Sequence, residues 1–207
     1  MYLPDVFREE RLEVLHALIR DYPLATLVTA GPQGLAANPI PFFLAEVGDK
    51  GTLRAHLAKS NPQVADLRAG CDALVIFSGP QAYVTPSWYP SKAEHGKVVP
   101  TWNYAVVQVR GIPQIIDDSQ WLLTLLGDFS DRQESARPHP WRVADAPGDY
   151  LAAALRALVG LEIPIETMVG KWKVSQNRSE SDRRGVARGL EQDDHDAAMA
   201  ALVAATL

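Results

Sequence analysis

One cysteine, Cys71, stands in 207 residues, so no disulfide forms within the chain and no four-thiolate zinc site exists. Excess positive charge is missing as well: 20 Lys+Arg against 25 Asp+Glu leave a formal charge of −5, which excludes a basic nucleic-acid coat while leaving room for a local basic patch. No uncharged apolar run approaches the roughly 20 residues that cross a bilayer. The start, Met1 to Arg8, lacks a basic segment followed by an apolar one, and the cytoplasm is the expected location. The sequence holds no G-x-S-x-G elbow, no phosphate-loop or dinucleotide glycine fingerprint and no H-E-x-x-H helix. His16, His56, His95, His139 and His195 are scattered without metal-ligand spacing.

What is present points to a turn-rich globular chain: 47% of residues are hydrophobic, enough for a core, and 15 Pro and 14 Gly argue against a helical bundle. Leu12, Leu15, Leu18 and Ile19 predict a helix over Glu9–Asp21, stopped by Pro23. Leu24–Thr29, a turn at Gly31-Pro32-Gln33-Gly34, Leu35–Ala45, a turn at Gly48–Gly51 and Thr52–Ala58 read as an antiparallel meander. Asn61 and Pro62 open a short helix to Ala69 as N-cap and first helical residue. Ala73–Phe77 and Gln81–Val84 read as strands parted by Ser78-Gly79-Pro80, and Thr101–Ile112 as the longest strand. Helices are expected over Ser119–Phe129 and Pro147–Leu158, the latter with Tyr150 inward. Val159–Ile165 alternates like a strand near a sheet edge, because Pro164 donates no ladder hydrogen bond. The expectation is one domain over 1–190, mainly β with flanking helices (α+β) and barrel-like, followed by a helical tail over 191–207 that packs on the body or on a partner subunit.

Three segments carry chemical information. Pro39 and Pro41 lie two apart in a strand, so both lack N–H groups on one side of the ribbon; that side is either an exposed edge or a face turned to a ligand. His56-Leu57-Ala58-Lys59-Ser60-Asn61-Pro62 is a strand-to-helix junction whose amides, lysine and hydroxyl suit a phosphate, or equally an ordinary cap beside a solvated lysine. The insertion Tyr83–Tyr104, rich in Trp and Tyr with Lys92 and Lys97, suits a flat ligand or a subunit interface. Gly170–Arg178 adds a cationic strand end, which reads equally as a solvated strand. A phosphorylated, planar aromatic ligand would account for these features together.

The strings Trp88-Tyr89-Pro90-Ser91-Lys92, Val99-Pro100-Thr101-Trp102-Asn103-Tyr104 and Lys171-Trp172-Lys173-Val174-Ser175-Gln176-Asn177-Arg178, with Met1–Pro4 and Pro23–Val28, resemble the PaiB-type FMN-binding negative transcriptional regulators over Met1 to about Leu190. The resemblance implies a six-stranded split β-barrel, a homodimer and FMN at the dimer interface. By the same resemblance, cofactor contacts fall on Asn38, Ile40 and Pro41, with the phosphate near His56, Leu57, Lys59, Ser60 and Asn61. Trp102 and Asn103 approach from the partner subunit, and Lys173, Gln176, Asn177 and Arg178 close the site. Where more distant oxidase-like relatives carry cationic residues, this chain has Pro39, Leu44 and Asn61, so phosphate binding leans on Lys59, Ser60 and backbone amides. Two functions remain open: a transcriptional regulator, with Arg178, Arg183, Arg184 and Arg188 as its local basic cluster for DNA, and an FMN-dependent oxidoreductase, with His56, His95 and Lys97 as candidate tuning groups.

Overall fold

The computed structural model describes residues 1–32 and 34–207; Gln33, in the expected turn, lies outside the described residues. The chain divides into two compact units, each assembled from separated segments: the first from Met1–Asp21, Ser78–Gln108 and Val169–Leu207, the second from Tyr22–Phe77 and Val109–Met168. The strands pair mostly antiparallel. Among the described residues no helix is long and apolar enough to cross a membrane.

The second unit holds β2 (Leu24–Gly31), β3 (Gly34–Pro41), β4 (Phe43–Ala45), β5 (Thr52–Ala58), α2 (Gln63–Arg68), the start of β6 (Ala73–Val84), the end of β7 (Thr101–Gly111), β8 (Gln114–Ile116), α4 (Ser119–Glu134), α5 (Gly148–Arg156) and β9 (Leu158–Pro164). Its strand orders are β6-β2-β3 and β4-β5-β9-β8. The expected single strand Leu35–Ala45 breaks at Phe42, whose N–H donates to Pro23 O at 2.8 Å while its ring is buried and meets Phe77 edge-on at 5.9 Å. β3 ends its sheet order, with Pro39 opposite Thr26 and Pro41 opposite Leu24, so the prolines sit on a strand with a free edge. β9 runs between β5 and β8 rather than at an edge: β8 reaches only Gly160–Glu162, and Pro164 lies beyond it opposite Thr52. The helix begun at Ser119 runs past Phe129 to Glu134, capped by Asp118 Oδ1, which accepts the Gln120 and Trp121 amides. α5 buries Leu155 and leaves Tyr150 exposed, against the inward placement expected of that tyrosine.

The first unit carries β1 (Arg8–Glu9), α1 (Leu12–Asp21), the end of β6, α3 (Ser91–His95), the start of β7, β10 (Thr167–Lys173) from Val169 on, α6 (Glu180–Gln192) and α7 (Ala197–Ala204), with strand order β1-β10-β7-β6. α1 starts at Leu12 rather than Glu9, because Arg8 and Glu9 pair with Lys171 and Gly170. β6 runs unbroken through Ser78-Gly79-Pro80, where a side chain at Gly79 would lie 2.8 Å from Leu18 Cδ1; that glycine makes room for α1 instead of making a turn. The tail packs on its own unit. Met199, Ala200 and Val203 of α7 join Val84, Tyr89, Val174, Val186 and Leu190 in a buried cluster, and Asp196 Oδ1 caps the helix by accepting the Met199 amide.

Candidate functional site

The expected phosphate corner folds as a strand-to-helix junction at the end of β5. Most of its amides are already engaged: Lys59 N–H donates to Ala157 O at 2.9 Å, Asn61 N–H to Ala58 O at 2.9 Å and Gln63 N–H to Asn61 Oδ1 at 3.0 Å. Pro62 has no N–H, and α2 starts one residue later than expected, at Gln63. The exposed side chains left to meet an anion here are Lys59 and Ser60. Beside them, Asn38 donates through Nδ2 to Gln63 Oε1 at 2.9 Å, and the buried Gln63 donates to Leu27 O and Thr29 Oγ1. Asn38 thus anchors α2 to the sheet. Ile40 and Leu57 bury their side chains, which leaves only their backbone for any ligand, whereas Pro41 is exposed.

His56 is half-buried on β5 opposite Gly160, and burial pushes its imidazole below the ordinary 6.5. The unfolded chain therefore takes up this proton first as pH falls. The contribution of neutral His56 to stability is complete above about pH 6.5 and is lost as pH drops through that value toward the folded pKa. We expect His56→Gln to flatten the fall in Tm between about pH 7 and pH 5, and an unchanged slope would remove His56 as its source.

In the first unit the insertion is ordered. Thr85 Oγ1 accepts the Ser87 amide, Pro86 opens a 3-10 turn over Pro86–Trp88, and α3 ends at Gly96, whose φ of 65° suits glycine. Its aromatic residues divide into two kinds. Trp88 lies against Gly185 and Gly189 of α6 and donates from Nε1 to Asp193 Oδ2 at 2.7 Å. Tyr89 is 2% exposed, with the Arg178 guanidinium 4.9 Å from its ring centroid. The Ser91 amide and hydroxyl both donate to the buried Asp182 carboxylate, at 3.1 and 2.8 Å. The Trp-Tyr-Pro-Ser-Lys string therefore builds the docking of α6. Tyr83 and Trp102 are the exposed pair, 44% and 55% accessible and edge-to-face at 5.9 Å.

Asn103 is buried and exchanges hydrogen bonds with Ser175, whose φ is 70°. Gln176 clamps the same turn, accepting the Val174 amide at 2.8 Å and donating to Trp172 O. Lys173 donates from Nζ to Thr101 Oγ1 at 2.6 Å and to Trp102 O. Lys171, two residues earlier and on the same strand face, is 7% exposed; it donates to Tyr2 O, with the Tyr2 and Tyr104 ring centroids 5.7 and 5.3 Å from its ammonium. This is not the solvated strand that the sequence equally allowed. Burial, and then the charges of Lys171 and Arg178, hold Lys173 below the usual lysine range. Among the described residues, none of these three cations makes an ion pair. Lys171 is the residue that the sequence reading left out of the candidate set. Its signal was the i, i+2 spacing to Lys173, which puts both on one face of β10.

Residues 1–167 match the family model described as "Putative FMN-binding domain". The chain belongs to this FMN-binding-domain family. An uncharacterized protein of Emericella nidulans from the same comparisons is 36% identical over 233 residues, covering 95% of this chain and 93% of its own. Protease synthase and sporulation protein PAI 2 of Bacillus subtilis is 29% identical over 195 residues, 94% of this chain and 91% of its own, which upholds the PaiB-type resemblance. The FAD and heme binding protein from Mycobacterium smegmatis aligns with a TM-score of 0.59 at 23% identity, over 80% of this chain and 73% of that one, and shares the fold. For this member of the FMN-binding-domain family, that fold is the split β-barrel: mostly antiparallel sheet with flanking helices.

Proposed function

We propose that the protein is an FMN-binding homodimer in which the late cationic segment helps to hold the cofactor. The observation that carries this is the cluster Lys171, Lys173 and Arg178, partly withdrawn from water without a carboxylate partner among the described residues, in a chain of an FMN-binding family. Buried cations are normally paired, so such a cluster fits an anionic ligand. In the same unit, exposed Tyr83 and Trp102 suit a flat ring or the second subunit. In the other unit, Lys59 and Ser60 supply an ammonium and a hydroxyl for the phosphate. A bound flavin would supply hydride- and electron-transfer chemistry, and the protein its position and electrostatics.

The test is an absorbance spectrum of the protein as purified, and again after adding FMN, with the mass in solution measured alongside. Flavin bands and a dimeric mass are expected; a protein that takes up no FMN sinks the flavin reading, and a monomer sinks the dimer. Lys59→Ala combined with Ser60→Ala is expected to weaken FMN binding by about tenfold or more. Unchanged affinity would place the phosphate elsewhere.

The relative named for protease synthesis and sporulation favours a PaiB-type regulator. One observation weighs against direct DNA contact: two of the four arginines in the local basic cluster are engaged within the chain. Arg183 donates to Thr206 O, and Arg184 pairs with Glu180 at 2.7 Å. Anaerobic bleaching of the flavin by NADH or NADPH would establish the enzyme, whereas a salt-sensitive DNA shift would return the regulator.

A further inference from the structure

The first unit holds a cavity of about 460 Å³ between the end of α3 and the start of α6, with Asn177 and Arg178 of the late cationic segment on its wall. Its polar wall is unusually rich in donors. Arg178 makes no ion pair among the described residues, and its guanidinium lies 4.9 Å from the Tyr89 ring centroid. Lys97 is exposed, and its amide donates to His95 Nδ1 at 3.0 Å. A neutral His95 that accepts at Nδ1 carries its proton on Nε2 and is a further donor. Ser179 and Ser181 share a hydrogen bond of 3.0 Å at the N-terminus of α6, where the helix dipole is positive. Of the two carboxylates on the wall, buried Asp182 already accepts the Ser91 amide and hydroxyl, and Glu94 is exposed. Behind the wall, the buried Tyr89 hydroxyl has no hydrogen-bond partner among the described residues.

We propose that this cavity binds the oxyanion of a small molecule, a carboxylate or a phosphate ester, between Arg178, Lys97, His95 and the start of α6. This site shares Arg178 with the proposed flavin cluster, yet it needs no bound flavin. Two cations and a helix N-terminus face Glu94 and the Ser91-bound Asp182, and a charge-assisted fork from Arg178 suits a planar or tetrahedral oxyanion.

The test titrates the full-length protein with inorganic phosphate and, separately, with acetate, by calorimetry in a buffer free of both. Saturable binding of either probe is expected, and the tighter one assigns the ligand class. Lys97→Ala is expected to weaken it by about tenfold, while Glu94→Gln, which removes the opposing charge, strengthens it. Both residues are exposed, so neither substitution disturbs the core. No saturable binding of either probe, or equal affinity in wild type and both variants, overturns the proposal. So does displacement of the bound probe by FMN, which would make the cavity part of the flavin site. Binding that persists in a protein that takes up no FMN supports it and removes only the flavin reading.

Discussion

Alanine at Gly185 is expected to destabilise the protein by about 3 kcal/mol, the upper end of overpacking costs. A Cβ at this position would lie 2.0 Å from the backbone oxygen of Trp88 and 3.1 Å from Pro90 Cδ. That oxygen belongs to the 3-10 turn over Pro86–Trp88, so no side-chain rotation relieves the clash. Trp88 is also fixed from its far end by Asp193 and from its face by Gly189, where a Cβ would meet the indole at 2.3 Å. Helix propensity works the other way, since alanine gains about 1 kcal/mol over glycine inside a helix. Gly127 in α4 separates the two effects, because nothing lies within 4 Å of a Cβ there. Thermal unfolding should therefore give Gly127→Ala a Tm at or slightly above wild type. Gly185→Ala should fall by roughly 6–12 °C, taking 2–4 °C per kcal/mol for a chain of this size. Equal melting of the two variants would show that α6 does not dock on the Trp88 turn as described.

This docking marks where the sequence stopped being readable. Trp88-Tyr89-Pro90-Ser91-Lys92 stood out as a dense aromatic string, yet its partners Gly185, Gly189, Asp182 and Asp193 lie about a hundred residues away. No local periodicity links a turn to a distant helix. Alternation, which is local, was legible: β2, β5 and β9 follow their apolar patterns, and Asn61 does accept the Gln63 amide at the start of α2, one residue later than expected. Errors fell where one residue type serves two purposes. Ser78-Gly79-Pro80 carries turn composition, but Gly79 is small so that Leu18 fits against β6. Pro164 looked like an edge marker, although a strand end beyond its neighbour's reach leaves the missing donor equally harmless. In the candidate site, residue type fixed the chemistry and tertiary contacts fixed who was free to perform it. Asn38, Asn103 and Gln176 carry ligand-capable amides that hold the fold together, while Lys171, unremarkable in a strand, lies buried between two tyrosines.

Lys173→Met is expected to weaken FMN binding by about tenfold to a hundredfold, the worth of one charge-assisted hydrogen bond. Two acceptors, Thr101 Oγ1 and Trp102 O, fix the ammonium and leave one of its three N–H groups for a ligand. The neighbouring charges of Lys171 and Arg178 oppose its protonation, so an anion arriving among the three relieves repulsion as well as forming a bond. The flavin-free protein loses little by the substitution, because the methionine stem replaces most of the lysine stem and one of three like charges is gone. Linkage makes the distinction measurable: a ligand that binds only the folded state raises Tm in proportion to the logarithm of its concentration over Kd. Wild-type protein should show a clear FMN-dependent rise in Tm. In Lys173→Met that rise should shrink while the flavin-free Tm stays within a few degrees. High salt should weaken wild-type binding more than that of the variant, since screening acts on the charge removed. A full FMN-dependent rise in the variant would take Lys173 out of the cofactor site. It would leave the Lys171–Arg178 cluster without the anion that its unpaired charges call for.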